Sequence, residues 1–378
     1  MSKYFQVGLI VTTLSAGFVF ASIEAENDGS VAFGTSYTAK KRGAEKKKCD
    51  TSPECPPPCE VCDPCACLVF LPSSPCPDRW RVSGDFLYLL PTVDDTYFAL
   101  NSDTSTVFPN GKRVNNDFDF NSGFRVGAEW AFCDTRRELQ AFYSHLNTRQ
   151  HKTVSGSNLW ATIGRPDVSS SFGNYSGSAI SILNLMYQSI HANLSQQLVD
   201  SCGVYFYVQP GVEYAYLRLD ENYSYNITGG ALGLVDQESR TWGVGPQLGF
   251  GLDYNFYQGT FSCSWNHAFS ITSQFAGSIL MGRGKTRNFQ TVTGAQQLSI
   301  EDEHTWKTIP ALHARAGLNY LVRGSRFGLA VEVGYEFNTY VRALSRVLFP
   351  DDTADGLCYT NYYNFDIQGL YVSGALSF

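Results

Sequence analysis

The sequence predicts an all-β protein, a transmembrane antiparallel β-barrel of about ten strands (ten to fourteen) in the outer membrane of a Gram-negative-type envelope. Three observations support this prediction: an N-terminal export signal, long segments in which apolar and polar residues alternate, and connections that are long and short in turn. We assign residues 80–378 to the barrel, which follows a signal peptide (1–25) and a disordered periplasmic arm, basic and rich in Cys and Pro (26–79).

The first 25 residues have the features of a secretory signal peptide. Lys3 precedes an apolar run at 7–20, and small residues then allow cleavage after Ala21 or Ala25. A basic start, a short apolar core and an A-x-A-like end are typical of such peptides. The alternative is a membrane anchor, but the run is shorter than the roughly 20 residues that a spanning helix needs. We therefore expect the protein to be exported.

Composition separates this chain from most soluble domains. Charged residues make up 17% and aromatic residues 14% of its 378 residues, whereas soluble domains average about 25% charged residues. Beyond the signal peptide, no uncharged apolar stretch reaches the roughly 18 residues expected of a transmembrane helix. The net charge of −7 gives no electrostatic reason to expect nucleic-acid binding.

Period-two alternation is the strongest signal in the chain. From Trp242 to Phe256 every even position is apolar, while every odd position is polar or Gly. This segment is much longer than the strands of about 5–6 residues in soluble proteins, and it fits a strand with one face toward lipid. Similar segments occur at 117–132, 204–216, 306–320 and 327–338, and weaker ones at 82–90, 139–146, 182–198, 261–281 and 362–378.

The connections between these segments alternate in length. Long ones fall at 92–116, 149–180, 220–239, 284–304 and 343–361, and short ones near 133–137, 199–203, 257–259 and 323–326. Outer-membrane barrels combine long extracellular loops with short periplasmic turns. We therefore expect the loops outside and both termini in the periplasm. A soluble β-sandwich is the alternative, but it has no reason to alternate loop length in this way.

The C-terminal strand ends on an aromatic residue. Leu370, Val372, Leu376 and Phe378 share one face, and Phe378 is the last residue. A terminal aromatic on an amphipathic strand resembles the signal recognised by the outer-membrane barrel assembly machinery. We therefore expect that machinery and outer-membrane lipid as partners.

The arm is rich in cysteine and proline, and many prolines exclude helix and central strand. The disulfide candidates, including three near the short connections, are Cys49, Cys55, Cys59, Cys62, Cys65, Cys67, Cys76, Cys133, Cys202 and Cys263. Overlapping C-x-x-C units could bind zinc, but disulfides are favoured in an oxidising compartment, and free thiols are the third alternative. Because the total of eleven is odd, we expect intermolecular bonds, to a second copy or to other envelope proteins, or a free thiol.

A basic run between Lys40 and Lys48 precedes these cysteines. It is either a solvated linker or a contact for anionic lipid headgroups or cell-wall polymer.

Ionisable residues on the polar faces are predicted to point into the lumen. The predicted pore-lining residues are Arg125, Glu129, Glu213, Asp253, Lys307, Arg315, Glu332, Glu336 and Asp366. Their mixed signs predict modest ion selectivity at most. Alternatively, they pair with one another and brace a filled interior, since about eight strands leave room only for side chains.

Short motifs connect residues 80–378 with a known family. Gly84-Asp85-Phe86-Leu87-Tyr88, 242–246 (WGVGP), 277–282 (GSILMG) and the terminal strand 369–378 resemble the legionella-type major outer membrane proteins, which include porin-like surface proteins of chlamydia-related bacteria. The resemblance implies an abundant pore-forming barrel, with cysteine cross-linking in the chlamydia-related members. The arm is not part of the shared pattern.

No catalytic, cofactor-binding or metal-binding motif is recognisable. His267 is interpreted as an interfacial residue, and the run 301–304 (EDEH) as solvated charge rather than a metal site. We therefore expect a non-enzymatic porin for small solutes or ions. The alternatives are a disulfide-cross-linked structural envelope protein, and a surface adhesin that acts through its long loops.

Overall fold

The computed structural model describes residues 80–103, 110–132, 136–164, 172–201, 203–262, 265–293, 297–324, 327–349 and 358–378. The predicted signal peptide, the arm and all ten disulfide candidates lie outside these residues. Cys358, the one cysteine among them, forms no disulfide. No helix in the described part of the chain is long and apolar enough to cross a membrane.

The described residues form twelve strands. They are β1 (Trp80–Val93), β2 (Tyr97–Ser102), β3 (Gly111–Asn115), β4 (Asn121–Phe132), β5 (Arg137–Ala161), β6 (Tyr175–Ser201), β7 (Val204–Ile227), β8 (Leu232–Ser262), β9 (Trp265–Val292), β10 (Gln297–Arg323), β11 (Gly328–Leu348) and β12 (Tyr359–Ser377).

Ten of these strands, β1 and β4–β12, form a closed antiparallel ring, which confirms the predicted fold class. Each strand pairs with the next along the chain, β4 pairs with β1, and β12 closes the ring against β1. The backbone amide of Trp80 donates to the carbonyl of Phe378, and the amide of Phe378 donates to the carbonyl of Trp80, with N–O distances of 3.1 and 2.9 Å. The last residue of the chain is therefore fixed at the seam of the barrel.

The alternation predicts the two faces of the wall correctly. On β8, Leu248 and Phe250 are 49% and 41% exposed, whereas Gln247 between the apolar positions is 6% exposed. Exposed apolar side chains form a band around the ring, from Trp242 at one edge to Phe256 at the other on this strand. This band is the lipid-facing surface expected of a membrane barrel.

The two ends of the ring differ. At the end called here the turn end, short connections at 133–136, 202–203, 263–264 and 324–327 join the strands. At the opposite end, called the hairpin end, strands continue well past the apolar band, and β8 reaches 31 residues. Much of each predicted long connection is therefore strand, and the connection predicted at 220–239 is reduced to 228–231.

An apolar core inside the ring explains why these strands continue. Beyond the apolar band, Leu217, Leu219, Tyr223 and Tyr225 of β7 alternate inward and are at most 1% exposed. The β2–β3 hairpin lies in the connection after β1, and β2 pairs with β5. Its Phe98 is fully buried, and the Tyr225 hydroxyl donates to the Phe98 carbonyl at 2.8 Å. The hairpin end of the lumen is thus filled by apolar packing.

Candidate functional site

The lumen is the candidate site, because the predicted pore-lining residues converge there. Eight of the nine lie on the inward face: Arg125, Glu129, Glu213, Asp253, Lys307, Arg315, Glu332 and Glu336. The ninth, Asp366, does not. It lies between the buried Phe365 and Ile367 and shares its face with the lipid-exposed Leu370. The prediction for Asp366 is wrong, since strict alternation places it on the outer face.

A polar cavity of about 360 Å³ occupies the turn end of the lumen. Ionisable residues of both signs contribute to its wall: Arg81, Glu129, Asp253, Arg315 and Glu332. Arg81 and Glu129 form an ion pair at 3.6 Å. The cavity is large enough to hold several water molecules.

Above this cavity, two arginines and three carboxylates form a connected layer of ion pairs. Arg125 bonds Asp85 at 3.2 Å and Glu336 at 2.9 Å. Arg315 bonds the same Asp85 at 3.1 Å and Glu332 at 3.2 Å, and it also stacks over the Tyr371 ring at 3.8 Å. Since β10 and β1 are separated by two strands in the ring, these contacts cross part of the lumen.

The next layer is centred on Glu213, which is fully buried. Its Oε2 lies 2.9 Å from Nε2 of His313, and its Oε1 accepts from the Tyr340 hydroxyl at 2.8 Å. Ser278 also donates to Oε2. His191 lies directly opposite Glu213 in the register of β6 and β7. A carboxylate and two imidazoles therefore meet in the centre of the barrel, and these are groups that could hold a metal ion.

Tyrosines close the lumen just above Glu213. The hydroxyls of Tyr187 and Tyr340 are 3.0 Å apart, and both side chains are almost fully buried. Tyr187 belongs to β6 and Tyr340 to β11, five strands away in the ring of ten. This contact therefore joins opposite walls.

A buried ion pair lies beyond the apolar band, toward the hairpin end. The Arg346 and Glu221 side chains are 4% and 2% exposed, and Nε of Arg346 donates to Oε2 of Glu221 at 2.6 Å. Burial lowers the pKa of Arg346, but the charge and hydrogen bond of the Glu221 carboxylate raise it together with Tyr223 and Tyr363, so that the net pKa lies above its ordinary value. Arg346 is therefore charged at any physiological pH.

Several of these residues were not among the predicted lumen residues. Asp85, His191 and Tyr340 share the inward parity of their strands, so the alternation alone could have identified them. Glu221 and Arg346 fall within the predicted connections 220–239 and 343–361, where no alternation is predicted. Of the predicted lumen residues, Arg315 and Glu332 form an ion pair, whereas Lys307 donates to the Ala343 carbonyl at 2.6 Å.

Sequence comparison agrees with this architecture. The family described as Legionella pneumophila major outer membrane protein precursor matches residues 73–378, which include the whole ring. The chain belongs to this family. The resemblance proposed from the short motifs is thereby confirmed, as is location in the outer membrane. No curated protein matches the sequence.

Solved structures of similar fold are distant. The outer membrane protease OmpT of Escherichia coli matches with a TM-score of 0.41 and 10% identity, over 81% of this chain and 98% of OmpT. The toluene transporter TodX of Pseudomonas putida matches with a TM-score of 0.24 and 6% identity, over 80% of this chain and 91% of TodX. A FadL homologue of Pseudomonas aeruginosa gives a TM-score of 0.21 and 8% identity, over 79% and 90%. Similarities this low do not bear on function.

Proposed function

We propose that this major outer membrane protein is a narrow porin-type channel for small ions or solutes, with its lumen closed in the conformation described. The observation that supports this proposal is the set of ionisable side chains buried at membrane depth around a polar cavity that can hold several water molecules. The mixed signs of these groups favour modest selectivity, and diffusion past them is the only mechanism proposed.

The energetic cost of burying charged side chains supports the channel proposal. Burying charges away from water is expensive even when they are paired, and well-packed apolar residues often replace buried pairs without loss of stability. The hairpin end of this lumen is filled largely in that apolar way, by Phe98, Tyr223 and Tyr225. A barrel that served only as an anchor could be filled similarly throughout. Ionisable groups inside a membrane protein are therefore a reason to propose a solute path.

For solutes to pass, side-chain contacts that cross the lumen must open. Within the apolar band these contacts include Arg125–Glu336, Arg315–Asp85 and Glu213–His313. The Tyr187–Tyr340 contact lies just beyond the band, toward the hairpin end. The apolar core and the β2–β3 hairpin would also have to move at the hairpin end.

We propose that the hairpin end is extracellular and the turn end periplasmic, as in other outer-membrane barrels. The arm that precedes β1 would then be periplasmic.

Conductance of the full mature chain in planar bilayers tests the proposal. We expect brief, low-conductance openings from the wild type, and longer openings from Arg125→Ala combined with Glu336→Ala, which removes a crossing contact and its two charges. Arg149→Ala, at an exposed position on β5, is the matched control and should behave as the wild type. Absence of conductance from both the wild type and the double variant, in folded protein, would reject the channel.

A cross-linked structural role is a second candidate, and the closed lumen favours it. The sequence adds eleven cysteines, of which seven lie in the arm. Bonds within the arm would close short loops and stabilise little, whereas a loop of about 15 residues yields roughly 3 kcal/mol. Intermolecular links explain so many thiols better. Non-reducing electrophoresis of envelopes, with thiols blocked at lysis, should show high-mass species that a reductant converts to monomer, and monomer alone would exclude this role.

A further inference from the structure

We propose that His191, Glu213 and His313 form a binding site for a divalent first-row transition-metal ion inside the lumen. This site is independent of the channel proposal, because the ion would bind whether or not the barrel conducts. No sequence motif predicts this site, since the three residues are far apart in the chain.

The three side chains already approach one another. His191 and Glu213 are cross-strand neighbours on β6 and β7, and His313 reaches them from β10. One candidate ligand atom from each residue lies within 4.8 Å of the others, and the Glu213–His313 distance is only 2.9 Å. At metal–ligand distances of about 2.0–2.1 Å, tetrahedral ligand atoms are roughly 3.3 Å apart. Modest side-chain rotation would therefore bring all three into range.

Neighbouring side chains hold both imidazoles in a suitable orientation. Nδ1 of His313 is 2.9 Å from Oδ1 of Asn338, and Nδ1 of His191 is 3.3 Å from Oε1 of Gln247. An amide oxygen accepts a hydrogen bond from Nδ1–H, and the Nε2 lone pair of the neutral imidazole is then left for a metal. Ligand histidines in metalloproteins are oriented by such acceptors on their other nitrogen.

The carboxylate has a similar outer shell. Tyr340 donates to one oxygen of Glu213, and Ser278 donates to the other. These donors fix the carboxylate in the lumen while its Oε2 faces His313. A cation would replace the direct contact between Oε2 and Nε2 of His313.

Space and charge are compatible with an ion. Both histidines line a cavity of about 110 Å³, which offers room for a water molecule as a further ligand. This cavity shares Gln140, Gln274 and Arg315 with the larger polar cavity, so the two adjoin and connect the site toward the turn end. Arg125 also lines it, but its charge is balanced by Asp85 and Glu336.

The donor set selects the class of metal. Two imidazole nitrogens and one carboxylate suit Zn²⁺ and other first-row ions, whereas Mg²⁺ and Ca²⁺ prefer oxygen ligands alone. His₂Glu with an open position is a known arrangement for zinc. An ion bound here would connect β6 and β7 with β10, and it would add to the contacts that cross the lumen.

Cobalt is the appropriate probe, because its visible spectrum distinguishes nitrogen and oxygen ligands from thiolates. Full mature chain, folded in detergent with all thiols alkylated, is titrated with Co²⁺. We expect one tight site with tetrahedral d–d bands and no thiolate charge-transfer band. His191→Gln and His313→Gln should each weaken Co²⁺ binding by on the order of 100-fold or more, and Asn338→Leu by about 10- to 100-fold, as for other outer-shell partners.

The matched control is His151→Ala, an exposed histidine on β5 outside the lumen. It should leave the affinity and spectrum unchanged. The proposal is overturned if His191→Gln and His313→Gln, shown to be folded by heat-modifiable mobility, bind Co²⁺ as the wild type does. Should either variant not fold, X-ray absorption of Zn²⁺-loaded, alkylated wild type decides. A shell with two imidazoles supports the site, and one without them, or no stoichiometric binding, rejects it.

The two proposals fail separately. If the wild type does not bind Co²⁺, the metal site is rejected, and the conductance test of the channel is unaffected. Absence of conductance would reject the channel while leaving the cobalt spectrum as it is.

Discussion

Tyr187 and Tyr340, on opposite walls of the ten-stranded ring, share a hydrogen bond with an O–O distance of 3.0 Å. The Tyr340 hydroxyl donates to Glu213, and the Tyr187 hydroxyl also bonds Oγ of Ser189 on its own strand at 3.0 Å. A chain of hydrogen bonds therefore runs from β6 through β11 to β7, across the centre of the lumen. These hydrogen bonds therefore link the tyrosine contact that closes the lumen to the buried Glu213 carboxylate.

Removing the two hydroxyls one at a time should lower the stability of the barrel by different amounts. Tyr187→Phe loses two neutral hydrogen bonds, to Tyr340 and to Ser189, and we expect the free energy of unfolding to fall by about 1–2 kcal/mol. Tyr340→Phe also removes a donor from the buried Glu213, for which about 2–3 kcal/mol is expected. Urea unfolding followed by tryptophan fluorescence measures both. Tyr335→Phe, at a lipid-exposed position, is the control, and an equal loss in all three variants would contradict the network.

The Arg346–Glu221 pair predicts a larger effect. Glu221→Gln leaves the buried Arg346 charge without its carboxylate, and breaking such a pair typically costs 3–5 kcal/mol. The combined change Glu221→Leu and Arg346→Met removes both charges and should be closer to the wild type in urea unfolding. A double variant as unstable as Glu221→Gln would show that the charges are not the cause.

Lipid-facing and lumen-facing positions should respond differently to a new charge. Leu248→Arg places a guanidinium near the middle of the apolar band and should destabilise the folded barrel by roughly 2–4 kcal/mol. Asn319→Arg points into the polar cavity, next to Glu332 in the register of β10 and β11, and should cost less than 1 kcal/mol because it gains an ion pair in water-accessible space. Refolding yield into vesicles and urea unfolding measure the difference. Similar losses would mean that the faces are assigned incorrectly.

Orientation is testable at the two ends of the ring. An epitope inserted at Gly229, which has a φ of +68° in the β7–β8 turn, lies at the hairpin end and should bind antibody on intact cells. The same epitope in the 324–327 turn should bind only after permeabilisation. Exposed glycine turns tolerate insertion well. Labelling of the second site alone on intact cells would reverse the proposed topology.

The sequence by itself determined which face of each barrel strand points to lipid and which to the lumen. Because side chains in a strand point alternately to opposite faces, the parity between Trp242 and Phe256 was enough to identify the lipid face, and it placed eight of nine predicted charges inside. Asp366 has the same parity as the exposed Leu370, so this rule places it on the outer face, against the prediction. The predicted connection 220–239 is too long, since the inward Leu219, Tyr223 and Val235 continue the strand pattern into it.

Only the tertiary structure decided which inward groups meet. The alternation of side chains places Glu213 and His313 on the inward face, but it does not show that they lie 2.9 Å apart. The position of each residue along the barrel axis depends on the pairing of every strand between them. Strand number and register set the width of the ring, and width determines whether opposite side chains touch or leave a path. Tyr187 and Tyr340 touch because ten strands, closed in this register, bring the two walls within reach of two tyrosines.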